Sequence, residues 1–267
     1  MFGSSTGGGE GRKGRIVSEK RDVQVFGGLF ELLLADMRVP LSRWTWAYLG
    51  MVCFSLAGYG ATHALKLNPV FIAPFSAFLT LALGSAAVLE AMLKAAGPSI
   101  WRGFWQVLLL GVAVEVLGVI TGFPFGRYAY SHRWVPVVHL PGVGWFPLLV
   151  PLAWFLIVGA AAASVTLFGR GEKSPWVYAA LAALTAATVD LVMEPVMVYR
   201  LGYWEWLDKG PLPGAAPLAN FAGWFGASFV AAWWLYKAGA RAANISWDPP
   251  IVLAGHVAMT IGLGLLS

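Results

Sequence analysis

Charge and sulfur are what this sequence is short of. Asp, Glu, Lys and Arg make up only 12% of its 267 residues, and there is a single cysteine, Cys53. One thiol forms no intrachain disulfide and no thiolate metal cluster. Cys53 lies inside an apolar run, where a small core residue is expected. The chain also lacks an HxxxH or CxxC pair, a Walker loop, a GxGxxG before a helix and a Ser/His/Asp spacing. Nothing in it calls for a nucleotide, a metal, another cofactor or a covalent nucleophile. Lys and Arg outnumber Asp and Glu by 18 to 13, yet they are scattered between hydrophobic runs rather than gathered on one face with interleaved aromatics. That argues against nucleic acid as a partner. The N-terminus has no apolar h-region with a small-residue cleavage site, so no signal peptide is expected there.

What is abundant is apolar surface. At 58% hydrophobic, with a mean hydropathy of +0.69, the chain carries more than a soluble domain of this size can hide. The lipid bilayer is therefore part of its solvent, and the fold class is an all-α polytopic membrane protein. Apolar stretches long enough to cross a ~30 Å hydrocarbon layer as helix occur near 44–64, 69–93, 103–121, 146–168, 175–198, 218–237 and 250–266. Fourteen Trp and thirty-two Gly suit this class, since Trp settles at the interface and Gly lets helices approach closely. Lys and Arg divide between the two sides as thirteen against five, with seven of the thirteen in the N-terminal arm. The positive-inside rule then puts the N-terminus in the cytoplasm of a plasma-membrane protein. Residues 1–24 are Gly/Ser-rich and then mixed in charge, as in a disordered or surface-lying arm. Residues 25–43 place apolar groups at helical spacing around Glu31 and Asp36, which suits a short interfacial helix. Residues 44–267 form the transmembrane domain.

Two long loops, 122–145 and 199–217, fall on one face in this topology, and both are dense in Gly, Pro and aromatics. Ordered loops of this length are more often functional than decorative. The segments around them echo one another. Glu115 is followed by Gly122-Phe123-Pro124-Phe125, Pro141-Gly142, then Pro151-Leu152 and Trp154. Glu194 is followed by Gly202-Tyr203-Trp204-Glu205-Trp206, Pro213-Gly214, then Pro217-Leu218 and Trp224. Helices 3-4 and 5-6 thus read as a parallel internal repeat about an axis along the membrane normal.

An ionisable side chain at bilayer depth costs at least ~2.5–3.5 kcal/mol, so its presence points to function. Glu115, Asp190 and Glu194 qualify. Asp190 and Glu194 are four apart on one helix and share a face. At ~1.5 Å rise per residue, Glu115 lies about 9 Å, Glu194 about 6 Å and Asp190 about 12 Å below the outer helix ends, so the three meet in one layer beneath the loops. Carboxylates clustered in a dry site cannot all carry charge. At least one keeps its proton as a general acid, and another is left to orient or deprotonate water. The bland alternative is that they only bond helix neighbours or pair with Arg127 or Arg200. Glu90 and His63 fall near helix ends, where side chains reach interfacial water. His256, inside the last span, reads as a packed, hydrogen-bonded histidine rather than a ligand. The loop aromatics Phe123, Phe125, Tyr128, Tyr130, Trp204 and Trp206, with Trp224, offer a slot for a long flat apolar molecule, and their faces stabilise a cation in it.

Glu115 with TGFPFGRYAY (121–130), PLLVPLAWF (147–155), DLVMEP (190–195), GYWEW (202–206) and PLANFAGW (217–224) resembles the membrane carotenoid-biosynthesis proteins, which include the CruF-type carotenoid 1,2-hydratases such as bisanhydrobacterioruberin hydratase. The resemblance spans roughly 105–235. It implies a carotenoid substrate and an enzyme that, without a cofactor, adds water across the C1=C2 bond of a ψ end group. An acid protonates C2, a tertiary cation forms at C1, and water captures it. On that reading Asp190, the deepest acid, is the proton donor, and Glu194 and Glu115 hold and deprotonate the water. Arg127, Tyr128 and Asn220 organise the network. Phe123, Trp204, Trp206 and Trp224 line the substrate. Other enzymes of carotenoid biosynthesis, or a second copy of the chain, are the protein partners it implies.

Two rivals remain. A membrane lycopene cyclase begins with the same protonation, but such cyclases resemble a Pro-x-Glu-Glu/Asp pattern, and here the Glu194-Pro195 order is reversed. A transporter or lipid-binding protein would use midplane acids for proton coupling.

Overall fold

The computed structural model describes residues 41–66, 73–169, 174–242 and 244–265. The arm expected over 1–24 and all but the last residues of the helix expected over 25–43 lie outside them. The described residues contain seven α-helices, at the seven stretches read from the sequence: α1 Arg43–Ala64, α2 Ala73–Ala96, α3 Ile100–Thr121, α4 Val150–Phe168, α5 Pro175–Pro195, α6 Leu218–Lys237 and α7 Asp248–Leu265. Five of them, α2 to α5 and α7, are long and apolar enough to cross a bilayer. Helices α1 and α6 fall short of that apolarity. The first carries Arg43, Thr45, Thr62 and His63, and the second Asn220, Ser228 and Lys237.

Helix α4 is the central post. It touches α2, α3, α5, α6 and α7, and the run Ala160–Ala163 is fully buried. Four methyl-sized side chains in succession let neighbouring backbones come close, the usual means of packing helices where lipid removes the hydrophobic drive between them. Its start is set by Pro151, which has no N–H to lose in a first turn. Helix α5 starts the same way, with Pro175 after Ser174, whose hydroxyl accepts from the Val177 N–H. The first and last helices are tied at one end by Asp248. Its carboxylate accepts from the Ser42 N–H at 2.8 Å, the Thr45 hydroxyl at 2.5 Å and the Ser246 hydroxyl at 2.6 Å.

Helix α5 does not stop near 198 as the apolar run suggests. Pro195 has no N–H for the helical ladder, and the chain continues as a π-helical turn, Val196–Leu201, ended by Gly202 at φ 60°. The two loops then meet. Strands β1 (Tyr128–Tyr130) and β4 (Trp204–Trp206) pair antiparallel, with Tyr128 opposite Trp206 and Tyr130 opposite Trp204. A hairpin of β2 (Val137–Leu140) and β3 (Gly144–Pro147) fills the rest of the first loop.

Two expectations are corrected. Cys53 is exposed on α1 rather than packed in the core, because the face of α1 that turns inward carries Tyr48, Val52 and Ser55. His256 is buried, but neither ring nitrogen has a hydrogen-bond partner among the described residues. Glu90 pairs with Lys94 one turn on, at 2.8 Å.

Candidate active site

The acids Glu115 from α3 and Asp190 and Glu194 from α5 line one cavity of about 500 Å³, counting the space at its mouth. Each is at least 94% buried, at 6%, 3% and 1% exposure. Neither Arg127 nor Arg200 forms an ion pair with any of them among the described residues, so the bland reading of buried salt bridges fails.

The hydrogen bonds follow the internal repeat. Glu115 accepts from the Tyr128 hydroxyl at 2.5 Å, the Tyr130 hydroxyl at 2.7 Å and the Trp154 indole N–H at 3.0 Å. Glu194 accepts from the indoles of Trp206 at 2.9 Å and Trp204 at 3.3 Å, and from the Asn220 amide at 3.1 Å. In each half a glutamate near the end of a helix takes two donors from its own short strand, where alternate residues face the same way. The third donor comes from the following helix. Those third donors stand at the same place in PLAWF (151–155) and PLANF (217–221). Glu115 and Gly122 are seven apart while Glu194 and Gly202 are eight apart, and the π turn accommodates the extra residue.

Asp190 breaks the symmetry. It accepts one hydrogen bond among the described residues, from the Asn220 amide at 2.8 Å. Asn220 thus spans Asp190 and Glu194 with one NH₂ group. The position four before Glu115 is Gly111, and a Cβ there would sit 2.8 Å from Trp154. One half fills this place with an indole, the other with an acid and an amide.

Around the acids the walls are aromatic. Trp154 and Trp224 stack at 4.2 Å with planes 4° apart, Tyr128 lies 5.3 Å from Trp206, and Tyr130 lies 6.2 Å from Trp204. Gly214, at φ 72°, packs on the Glu194 backbone, where a Cβ would approach to 2.8 Å. The arrangement can hold a proton, place a small polar molecule between two carboxyl groups and face both with π surfaces that favour a cation.

Of the residues singled out in the sequence, Tyr128, Trp204, Trp206, Asn220 and Trp224 line this cavity with the three acids. The structure does not bring Phe123 or Arg127 to it. Phe123 is 68% exposed, and Arg127 makes a surface ion pair with Asp208 at 2.7 Å. Sequence reasoning did not assign Tyr130 or Trp154 as donors to Glu115. The five-residue echo PLAWF/PLANF was the available signal for Trp154, and its period-2 spacing from Tyr128 was the signal for Tyr130.

This fold and site define a helical integral membrane protein with an aromatic-walled carboxylate cavity at one end of its bundle. The chain belongs to the carotenoid biosynthesis protein family, whose profile matches residues 75–266. Over 124 residues it is 30% identical to a bisanhydrobacterioruberin hydratase of Haloarcula japonica, a match covering 46% of this chain and 40% of that protein. The chain therefore spans less than half the length of this curated relative. No solved structure matches.

Proposed function

We propose that the protein is a carotenoid 1,2-hydratase, acting on the C1=C2 bond of a ψ end group. The observation that carries this is the bridge Asp190–Asn220–Glu194 within an aromatic-walled cavity whose third acid, Glu115, is engaged by Tyr128, Tyr130 and Trp154. Glu115 and Glu194 each accept from three donors, and among the described residues Glu194 Oε1 takes only the Asn220 bond, which leaves it a lone pair for a water and its proton. Among the described residues Asp190 keeps one oxygen without a donor, which suits the acid. Its O–H bond breaks as a C–H bond forms at C2, and the π electrons leave a tertiary cation at C1. Trp204, Trp206 and Trp224 face that cation. Water held at Glu194 forms the C1–O bond and gives up a proton to the carboxylate. Return of that proton to Asp190 leaves the addition of one water as the net change. Glu115 serves the wall by fixing Tyr128, Tyr130 and Trp154. The relative's name, a hydratase, supports the same reaction type, and the excess of Lys and Arg in the N-terminal arm supports a cytoplasmic N-terminus at the plasma membrane.

The test is incubation of membranes containing the protein with an acyclic ψ-end carotenoid in ¹⁸O-water. The expected product is a tertiary alcohol carrying the label. An isomer of unchanged mass would mean ring closure, and an unaltered substrate would mean neither reaction.

A further inference from the structure

Beside the acid cavity lies a second, larger one of about 930 Å³, counting the space at its mouth. The two share Trp134, Ala153, Met193 and Trp204, so they adjoin across these four side chains. Its walls, from α1, α2, α7 and the π turn, are mostly apolar, with Phe54, Leu81, Met197, Met259 and Leu263 among them. Ser55, Thr62 and Ser76 also line it, but two of its polar side chains are buried and without a partner among the described residues. His256 on α7 is 4% exposed, and neither of its ring nitrogens has a partner among the described residues. Thr80 on α2 is 1% exposed, and its hydroxyl is likewise unpartnered.

Glu90, Ser228 and Trp247 also have a buried polar atom without a partner among the described residues, but none of them lines this cavity. Ser55, Ser164 and Thr260 each bond the carbonyl one turn earlier, at 2.7, 2.7 and 2.9 Å, which is how a hydroxyl in an apolar helix normally satisfies itself. Thr80 does not. Buried polar groups left unpaired are costly and are rare in native proteins. Two that line the same apolar cavity mark the place of a polar group on whatever fills it. An imidazole always carries at least one N–H, and a threonine hydroxyl both donates and accepts, so each can bond a hydroxyl or keto oxygen in the cavity they line.

We propose that the second cavity holds the remainder of the polyene chain, and that His256 and Thr80 receive an oxygen function carried on it. The preferred substrate is then an already oxygenated polyene rather than a hydrocarbon, supplied by an earlier oxygen-introducing reaction. The polyene identity rests on the function proposed above; the oxygen site rests on His256 and Thr80 alone.

Binding tests this without reference to turnover. The purified full chain in lipid nanodiscs is titrated with a monohydroxylated acyclic carotenoid and with its parent hydrocarbon, following the circular dichroism induced in the polyene band. Wild type is expected to bind the alcohol roughly tenfold more tightly. His256→Leu should abolish that preference and Thr80→Val should reduce it, with hydrocarbon affinity unchanged as proof of an intact fold. His256→Gln, which keeps a donor, should recover part of it. If His256→Leu does not fold, the nearly isosteric Thr80→Val carries the test. Equal affinity for the two probes in wild type, including no binding of either, overturns the proposal. So does a preference that survives both substitutions, which would leave the pair holding water only. A binding preference without labelled alcohol in the ¹⁸O experiment would uphold this site and reject the hydration chemistry. The reverse pattern would do the opposite.

Discussion

Glu115 and Glu194 sit in matching halves of the acid cavity, each taking two donors from a three-residue strand and one from the next helix. At two of the positions where the halves part, Gly111 and Trp154 on one side correspond to Asp190 and Asn220 on the other. The matched parts build a rigid aromatic frame twice over. The mismatched parts leave one carboxyl with a single donor, among the described residues, beside another that takes three. Duplication therefore supplies the framework, and divergence at two positions supplies an acid and a bridge.

If the asymmetry is what makes the site reactive, removing it has the largest effect. Asp190→Asn is expected to lower turnover by about 10²–10⁴-fold, the range for loss of a positioned general acid, with the protein still folded and membrane-inserted. Turnover is read from labelled product by mass spectrometry. Retained activity would take the acid role from Asp190 and restore the symmetry of the halves.

Next in size is the bridge. Asn220→Leu removes the only donor that Asp190 has among the described residues, and one of three at Glu194. A drop in kcat of roughly 10–100-fold is expected, since buried hydrogen bonds to charged groups contribute about 1.5–3 kcal/mol. An effect confined to KM would mean that Asn220 only shapes the cavity. The matching change in the other half is Trp154→Phe, which takes one donor from Glu115. It is expected to cost stability more than rate, lowering the midpoint of thermal unfolding while kcat falls less than about tenfold.

Gly111→Ala sharpens the same contrast through packing alone. Its methyl would stand 2.8 Å from the Trp154 ring, 3.0 Å from that residue's Cβ. Overpacking of this kind costs typically about 1–3 kcal/mol, measurable as a lower unfolding midpoint in detergent. An unchanged midpoint would mean that the first half of the cavity yields more readily than its contacts suggest.

How much of this was readable in the sequence depends on the range of the interaction. The helices were, because a bilayer-length apolar run is a local signal: 103–121 became Ile100–Thr121, and 218–237 became Leu218–Lys237. The three acids were readable too, since a carboxyl in such a run is costly wherever it points. The π turn at Pro195 was not, because nothing in VMVYRL separates five-residue from four-residue bonding. The pairing of β1 with β4 joins residues 74 to 78 apart in sequence, and three-residue strands carry almost no pattern of their own. Trp154 was matched to Trp224 by residue type, whereas the PLA framework aligns it with Asn220 and the two tryptophans instead stack. The resemblance puts Arg127 in the acid network, but just before β1 its side chain turns outward to Asp208. Side-chain direction at a strand end is a tertiary outcome.

That outward turn sets up the smallest expected effect. Arg127 and Asp208 clasp the open end of the β1–β4 pair. The Arg127 Nε and Nη2 donate to Asp208 Oδ1 at 3.0 and 2.7 Å, and the Leu207 and Asp208 N–H groups donate to the Arg127 carbonyl. Hydrogen bonds from the guanidinium hold the Asp208 carboxyl below the usual carboxylate range. A lowered folded value means the clasp contributes fully above the unfolded carboxylate value of about 3.9 and is lost as pH falls through the folded one. Both side chains are exposed, so salt screens the pair and little of it reaches the fold or the chemistry. Arg127→Ala is accordingly expected to change turnover by less than about twofold at neutral pH, because the N–H groups of Leu207 and Asp208 still bond the backbone carbonyl that remains. A tenfold loss would mean that the guanidinium reaches the acids during turnover. The loops would then have to rearrange over a bound substrate, and the second half of the cavity would owe its reactivity to a cation from the first.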